Sequence, residues 1–279
     1  MACGYAYDAF GRTTAMPGGR TVAYYTNDLV RQQTVGDSRQ TWMLDSAGRF
    51  RGWTTESNAS GTWTQTGSRT NHYGDVSDSP RWITDQSGGV ARIVAGLAGG
   101  LSATTGASGA VILQLTNLHG DVNLLLPLDT SVAPTALSAD EYGNRRVGTE
   151  AVRYGWLGAE QRSAETATGA LLMGVRLYNP ETGRFLSTDP AFGGSRNAYE
   201  YAGANPVNHL DLDGRWYKKR TWYYSWGRLT GEYWSPSSWW SGSSRIRVTA
   251  TLSKRWTGRI ADYGWYLYII TGAIGFFEG

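Results

Sequence analysis

Cysteine is almost missing: Cys3 is the only one in 279 residues, which excludes an internal disulfide framework and any cysteine-rich zinc site. Histidine is nearly as scarce, and His72, His119 and His209 are too scattered in sequence to read as metal ligands. No metal or cofactor is expected. Lysine is absent from residues 1–214, and charged residues make up only 18% of the chain against a usual ~25%. The 13 Trp, 17 Tyr and 6 Phe are nevertheless far too many aromatics for a disordered chain. Met1–Phe10 lacks the basic and apolar runs of a secretory signal, and no apolar stretch precedes Cys3 as a lipoprotein would require. The apolar run Trp265–Phe277 has 13 residues, short of the ~20 that a membrane-spanning helix needs.

What is abundant is glycine, 37 of 279 residues, and what is uneven is charge. Residues 1–214 hold 16 Arg against 20 acidic residues, a net of −4. Residues 215–279 hold 7 Arg and 3 Lys against Glu232, Asp262 and Glu278, a net of +7, together with 8 of the 13 Trp. Such a shift marks two modules with different tasks.

Helical periodicity is nearly absent before Gly214. Short apolar or β-branched runs are broken repeatedly by Gly, Asp and Asn, the pattern of many hairpins. Thr21–Tyr25 is followed by a turn at Thr26, Asn27 and Asp28. Ala110–Leu118 and Val122–Leu128 are joined at His119, Gly120 and Asp121, where Gly120 can take the positive φ of a tight turn. Val175–Tyr178 and Arg184–Leu186 flank a five-residue turn, Asn179–Gly183. The weakly patterned residues 87–110 are read as strands, anchored by Val90, Ile93, Val94 and Leu97.

One pattern recurs: Asp, two variable residues, then Gly and Arg. It appears as Tyr7-Asp8-Ala9-Phe10-Gly11-Arg12 and as Leu44-Asp45-Ser46-Ala47-Gly48-Arg49, with looser copies at Asp85–Gly88 and Asp140–Arg145. Asp can bond the backbone two residues on, Gly supplies the left-handed position, and Arg starts the outgoing strand. The Tyr-Asp opening with Gly-Arg resembles the YD repeat, and Tyr154–Gly214 resembles the core-associated segment of bacterial Rhs proteins. The matching residues include Arg176–Pro190 (RLYNPETGRFLSTDP) and Asn197–Asn208 (NAYEYAGANPVN).

The resemblance implies a mainly all-β fold, a shell of YD-repeat hairpins plugged by the core-associated segment and enclosing a C-terminal polymorphic effector. It divides the chain into a repeat sheet at 1–153, the core-associated segment at 154–214 and a small variable domain at 215–279. The charge break falls at the same boundary. The implied function is a toxin of bacterial competition, secreted or delivered to the cell surface, whose partners would be the rest of the shell and an immunity protein. Full shells of this kind are much longer, so 214 residues are expected to be part of a larger enclosure.

Such shells are often cut by their own aspartyl chemistry just before the effector, and the resemblance places the two carboxylates at Asp189, followed by Pro190, and at Asp211. Two carboxylates held close cannot both ionise easily, so one keeps a proton and polarises the scissile carbonyl while the other activates water. The cut would fall at Gly214–Arg215. The chain departs from the pattern at Leu212, Asp213 and Arg215, and a third carboxylate would perturb the shared proton. The competing reading is that Asp189 and Asp211 are turn residues bonding local backbone.

Beyond the boundary, Lys218, Lys219, Arg220, Trp222 and Tyr223 interleave basic and aromatic side chains, a mixture suited to nucleic acid or an anionic membrane surface. The tail has no His or Cys, which argues against a histidine nuclease, a zinc deaminase or a thiol protease. Glu232 with Arg228, Arg245 or Arg247 is the remaining set suited to an RNase. A rival from another class is a surface module that binds carbohydrate through exposed aromatics, and a third reading is an inert remnant of a longer protein.

Overall fold

The computed structural model describes residues 4–59, 61–96, 100–146, 148, 151–191 and 197–215, and the backbone of three further strands at 218–223, 229–234 and 247–250. Cys3, Leu97, Trp216, Tyr217, Arg228, Arg245 and the run Trp265–Phe277 lie outside the described residues. The chain forms two compact units, Met1–Thr188 and Asp189–Gly279.

The first unit is built on a 13-stranded antiparallel meander in which every strand pairs with its neighbours in sequence. Its strands are β1 (Ala6–Tyr7), β2 (Thr13–Met16), β3 (Arg20–Tyr24), β4 (Val30–Val35), β5 (Ser38–Leu44), β6 (Phe50–Ala59) and β7 (Thr62–His72). They continue as β8 (Trp82–Asp85), β9 (Val90–Ala95), β10 (Leu101–Gly106), β11 (Val111–Thr116), β12 (Val122–Pro127) and β13 (Thr135–Ala136). A small sheet follows, β14 (Leu171–Met173), β15 (Arg176–Asn179) and β16 (Arg184–Phe185). No α-helix occurs among the described residues. The all-β reading holds, and the weakly patterned stretch after residue 87 forms strands β9 and β10, with Ile93 buried but Val94 43% exposed.

The repeated Asp-x-x-Gly-Arg segments form one turn type. In the first copy the Asp8 N–H donates to the Arg12 carbonyl and the Gly11 N–H to the Asp8 carbonyl, both at 3.0 Å. Asp8 Oδ1 accepts the N–H groups of Phe10 at 3.0 Å and Arg12 at 2.9 Å. Asp45 accepts from Ala47 and Arg49 in the same way, both at 2.9 Å. Gly11 and Gly48 lie at φ +77° and +75°, a region that a side chain disfavours. Arginine does more than begin the next strand. The Arg12 Nε donates to Asp8 at 2.7 Å while its Nη1 reaches the Tyr25 carbonyl at 3.2 Å and Asp28 at 2.9 Å, in the next turn along the same sheet edge. Arg49 likewise joins Asp45 to the carbonyls of Asp75 and Ser77. The repeat therefore stitches alternate turns together.

One face of the meander is closed by residues 151–188. Trp42 and Trp53, opposite each other on β5 and β6, pack with Met16, Val22 and Val30 against Ala170, Leu177 and Leu186. Under this cover Gln40 donates to the Glu165 carbonyl at 3.0 Å and accepts the Ala167 N–H at 2.7 Å. Arg69 and Arg153 converge on Glu165 at 2.7 and 2.8 Å, and the buried Arg162 grips Asp78 through two bonds of 2.7 and 2.9 Å. Leu157 donates its N–H to Asp121 at 2.9 Å, a carboxylate that also meets His119 Nδ1 at 2.9 Å. His119 is a turn residue as expected. His72 lies on β7, where alternation turns it onto Trp82 of the adjoining strand.

In the second unit a four-stranded antiparallel sheet runs in the order β17 (His209–Leu210), β18 (Lys218–Tyr223), β19 (Leu229–Trp234), β20 (Arg247–Ala250). Tyr201, Ala202, Leu210, Asp211 and Leu212 are buried there.

Candidate functional site

The loop between β17 and β18 carries the predicted boundary. His209 pairs with Lys219 and Leu210 with Lys218, and the described residues 211–215 leave β17 in this connection. Gly214, buried at φ +68°, bends the chain without the strain that a side chain would bring. The Arg215 N–H then points back at two carboxylates, lying 3.1 Å from Asp211 Oδ1 and 3.0 Å from Asp213 Oδ1. Asp211 is 1% exposed.

Asp211, Gly214 and Arg215 are thus gathered into one turn. The nitrogen held there is the one that would leave if the Gly214–Arg215 bond were cut. Asp213, which marks a departure from the resembled pattern, shares the same N–H; its position two residues before Arg215 is the signature of a local Asx bond and was the available signal. Asp189 sits half-buried in a different turn of the same unit. Its Oδ1 accepts the Ala191 N–H at 2.9 Å and its own N–H donates to the Ala198 carbonyl at 2.8 Å. Both aspartates therefore make the local backbone bonds of the turn reading. His209 Nδ1 lies 3.0 Å from the Ala202 carbonyl, close to the same turn in sequence.

Lys218, Lys219, Arg220, Trp222 and Tyr223 all fall on β18. The register places Arg220 opposite Glu232 and Glu232 opposite Arg247, so these three positions form one row across β18, β19 and β20. Of the arginines that the sequence offers as partners of Glu232, Arg247 is paired opposite it, as is Arg220; Arg228 and Arg245 lie outside the described residues.

No protein-family profile matches the chain. In sequence it is 33% identical over 111 residues to the tRNA(Glu)-specific nuclease WapA of Bacillus subtilis subsp. natto. It is 32% identical over the same length to the tRNA nuclease WapA of Bacillus subtilis strain 168. The match takes in 36% of this chain and only 4% of each nuclease. In structure, 75% of the chain superposes on TcdB2-TccC3 without its hypervariable C-terminal region, with TM-score 0.58, 21% identity and 11% of that chain covered. A similar share superposes on the Tc holotoxin pore of Photorhabdus luminescens, with TM-score 0.59, 20% identity and 10% of that chain covered. The structural likenesses establish the β fold, and the chain spans only about a tenth of those chains and 4% of the nucleases it matches in sequence.

Proposed function

We propose that this chain is a shell segment of an Rhs-type toxin that carries a basic C-terminal passenger and frees it by cutting the Gly214–Arg215 bond. The observation that carries the reading is the Arg215 N–H held 3.1 Å from the buried Asp211 carboxylate at the charge boundary. In the reaction, water adds to the Gly214 carbonyl carbon and gives a proton to one carboxylate. The other donates a proton to the Arg215 nitrogen as the C–N bond breaks, leaving a Gly214 carboxylate and a new amine at Arg215. Asp211 is the group adjacent to the leaving nitrogen, and Asp189 is assigned the water. Pairing of β17 with β18 would keep the cut passenger attached until the strands part.

The passenger is assigned to RNA. Its +7 charge, its interleaved aromatics and the Arg220–Glu232–Arg247 row suit a phosphodiester, and the sequence relatives are named as tRNA nucleases.

The test is expression of the full chain and of Asp189→Asn and Asp211→Asn variants, followed by a denaturing gel and N-terminal sequencing. Wild type should yield a fragment beginning at Arg215, and each variant should remain intact. An unchanged fragment pattern in the variants overturns the aspartyl mechanism. Salt-sensitive binding to anionic vesicles but not to tRNA would overturn the RNA assignment.

A further inference from the structure

A hollow in the first unit lies around Trp82, away from the boundary turn. Trp82 on β8 is 40% exposed, whereas Trp42 and Trp53 on β5 and β6 are buried and Trp63 on β7 is half-buried beneath the Arg39 guanidinium. One side of its ring is backed by the His72 imidazole, with centroids 4.9 Å apart and planes 6° from parallel. His72 is itself fixed by Nε2 at 3.1 Å from Thr84 Oγ1. The result is a stiff, flat, apolar platform. Beside it opens a cavity of about 250 Å³ lined by Arg51, Thr70, Tyr73 and Asp45 as well as the two stacked rings. That volume is just below the ~300–1,000 Å³ of pockets for drug-sized ligands and suits one ring.

The charges around the platform are not balanced by the protein. The Asp45 carboxylate is taken up by Arg49 and by two turn N–H groups. Among the described residues neither Arg51 in the cavity nor Arg92, directly opposite Trp82 on β9, has a carboxylate partner. Two unpaired guanidinium groups beside one aromatic platform call for a ligand with a flat apolar face and a carboxylate. The C–H face of a pyranose stacks on indole, and a uronate carboxylate accepts charge-assisted bonds from arginine. A single-stranded nucleic acid would need successive aromatic platforms along a basic groove, whereas residues 1–214 carry a net charge of −4.

We infer that the Trp82 hollow binds a uronic-acid unit of an acidic polysaccharide, with Trp82 as platform and Arg51 and Arg92 as carboxylate holders. This site is independent of the cleavage proposed at Gly214. Calorimetric titration of the full chain with a hyaluronan tetrasaccharide, chitotetraose and an oligouridylate tests it. The hyaluronan fragment should bind, and Trp82→Ala should weaken it by about tenfold or more while Trp82→Phe, which keeps a platform, stays within about threefold. Arg51→Gln should weaken the acidic sugar and leave chitotetraose unaffected. Absence of binding to the hyaluronan fragment, binding unchanged by Trp82→Ala, or preference for oligouridylate overturns the assignment.

Discussion

Asp45 shows how much of this fold rests on single turn residues. Its carboxylate accepts two backbone N–H groups at 2.9 Å and an Arg49 guanidinium at 2.8 Å. Replacing it with Ala leaves those donors to water and cuts the link through Arg49 to the next turn. The expected loss is about 1–2 kcal/mol, read as a lower urea midpoint at pH 7. The same carboxylate predicts an acid response. Burial pushes its pKa up, but the Arg49 backbone and side-chain hydrogen bonds outweigh this and hold it below the ordinary 3.8; Asp8 and Asp140 are lowered in the same manner. A lowered folded-state pKa gives stability that is present above the unfolded value and is lost as pH falls through the folded value. Stability should therefore decline below about pH 4, and Asp45→Asn should flatten that decline in a urea series taken across the acid range. The role of Asp in this turn is legible from the repeat because it is local. The reach of Arg12 to Asp28 is not, because it depends on which turns share a sheet edge.

At the scale of elements, glycines with similar backbone angles differ in what surrounds them. Gly88 and Gly143 both have left-handed φ, at +83° and +89°. A Cβ at Gly88 would meet nothing within 4 Å, whereas one at Gly143 would lie 2.8 Å from the Trp156 ring, which is 5% exposed. Asn tolerates this φ well, so the comparison isolates packing. Gly88→Asn should change stability by less than about 0.5 kcal/mol. Gly143→Asn should cost about 2–3 kcal/mol, by thermal or urea unfolding, because a buried indole must move. Hairpins such as β11–β12 and β15–β16 could be placed from the sequence, since turn chemistry and short strands are set within a few residues. The packing of Trp156 onto the Asp140 turn could not, since it joins segments whose approach depends on the whole sheet.

At the scale of the first unit, the cover formed by residues 151–188 is held by a few ion pairs whose partners differ in exposure. The Arg162 side chain is 8% exposed and Asp78 41%. Burial would raise the Asp78 carboxyl, yet the Arg162 bonds hold it below its ordinary value. Removing Asp78 strands a buried cation, whereas removing Arg162 frees a carboxylate that can hydrate in place. Asp78→Asn should therefore cost more, about 3 kcal/mol, than Arg162→Met, whose apolar chain fills the same space. Limited proteolysis of residues 151–188 should follow the same order.

The sequence by itself determined the β class, the turn chemistry of the Asp-x-x-Gly-Arg repeat and the change of charge at Gly214, because each follows from residues adjacent in the chain. Tertiary structure alone decided that Arg12 and Arg49 join separate turns and that Glu165 draws in Arg69 and Arg153. It also decided that His72 backs Trp82. Those contacts depend on strand register and on which segment covers which face, and a period-2 strand pattern permits many registers until long-range packing selects one.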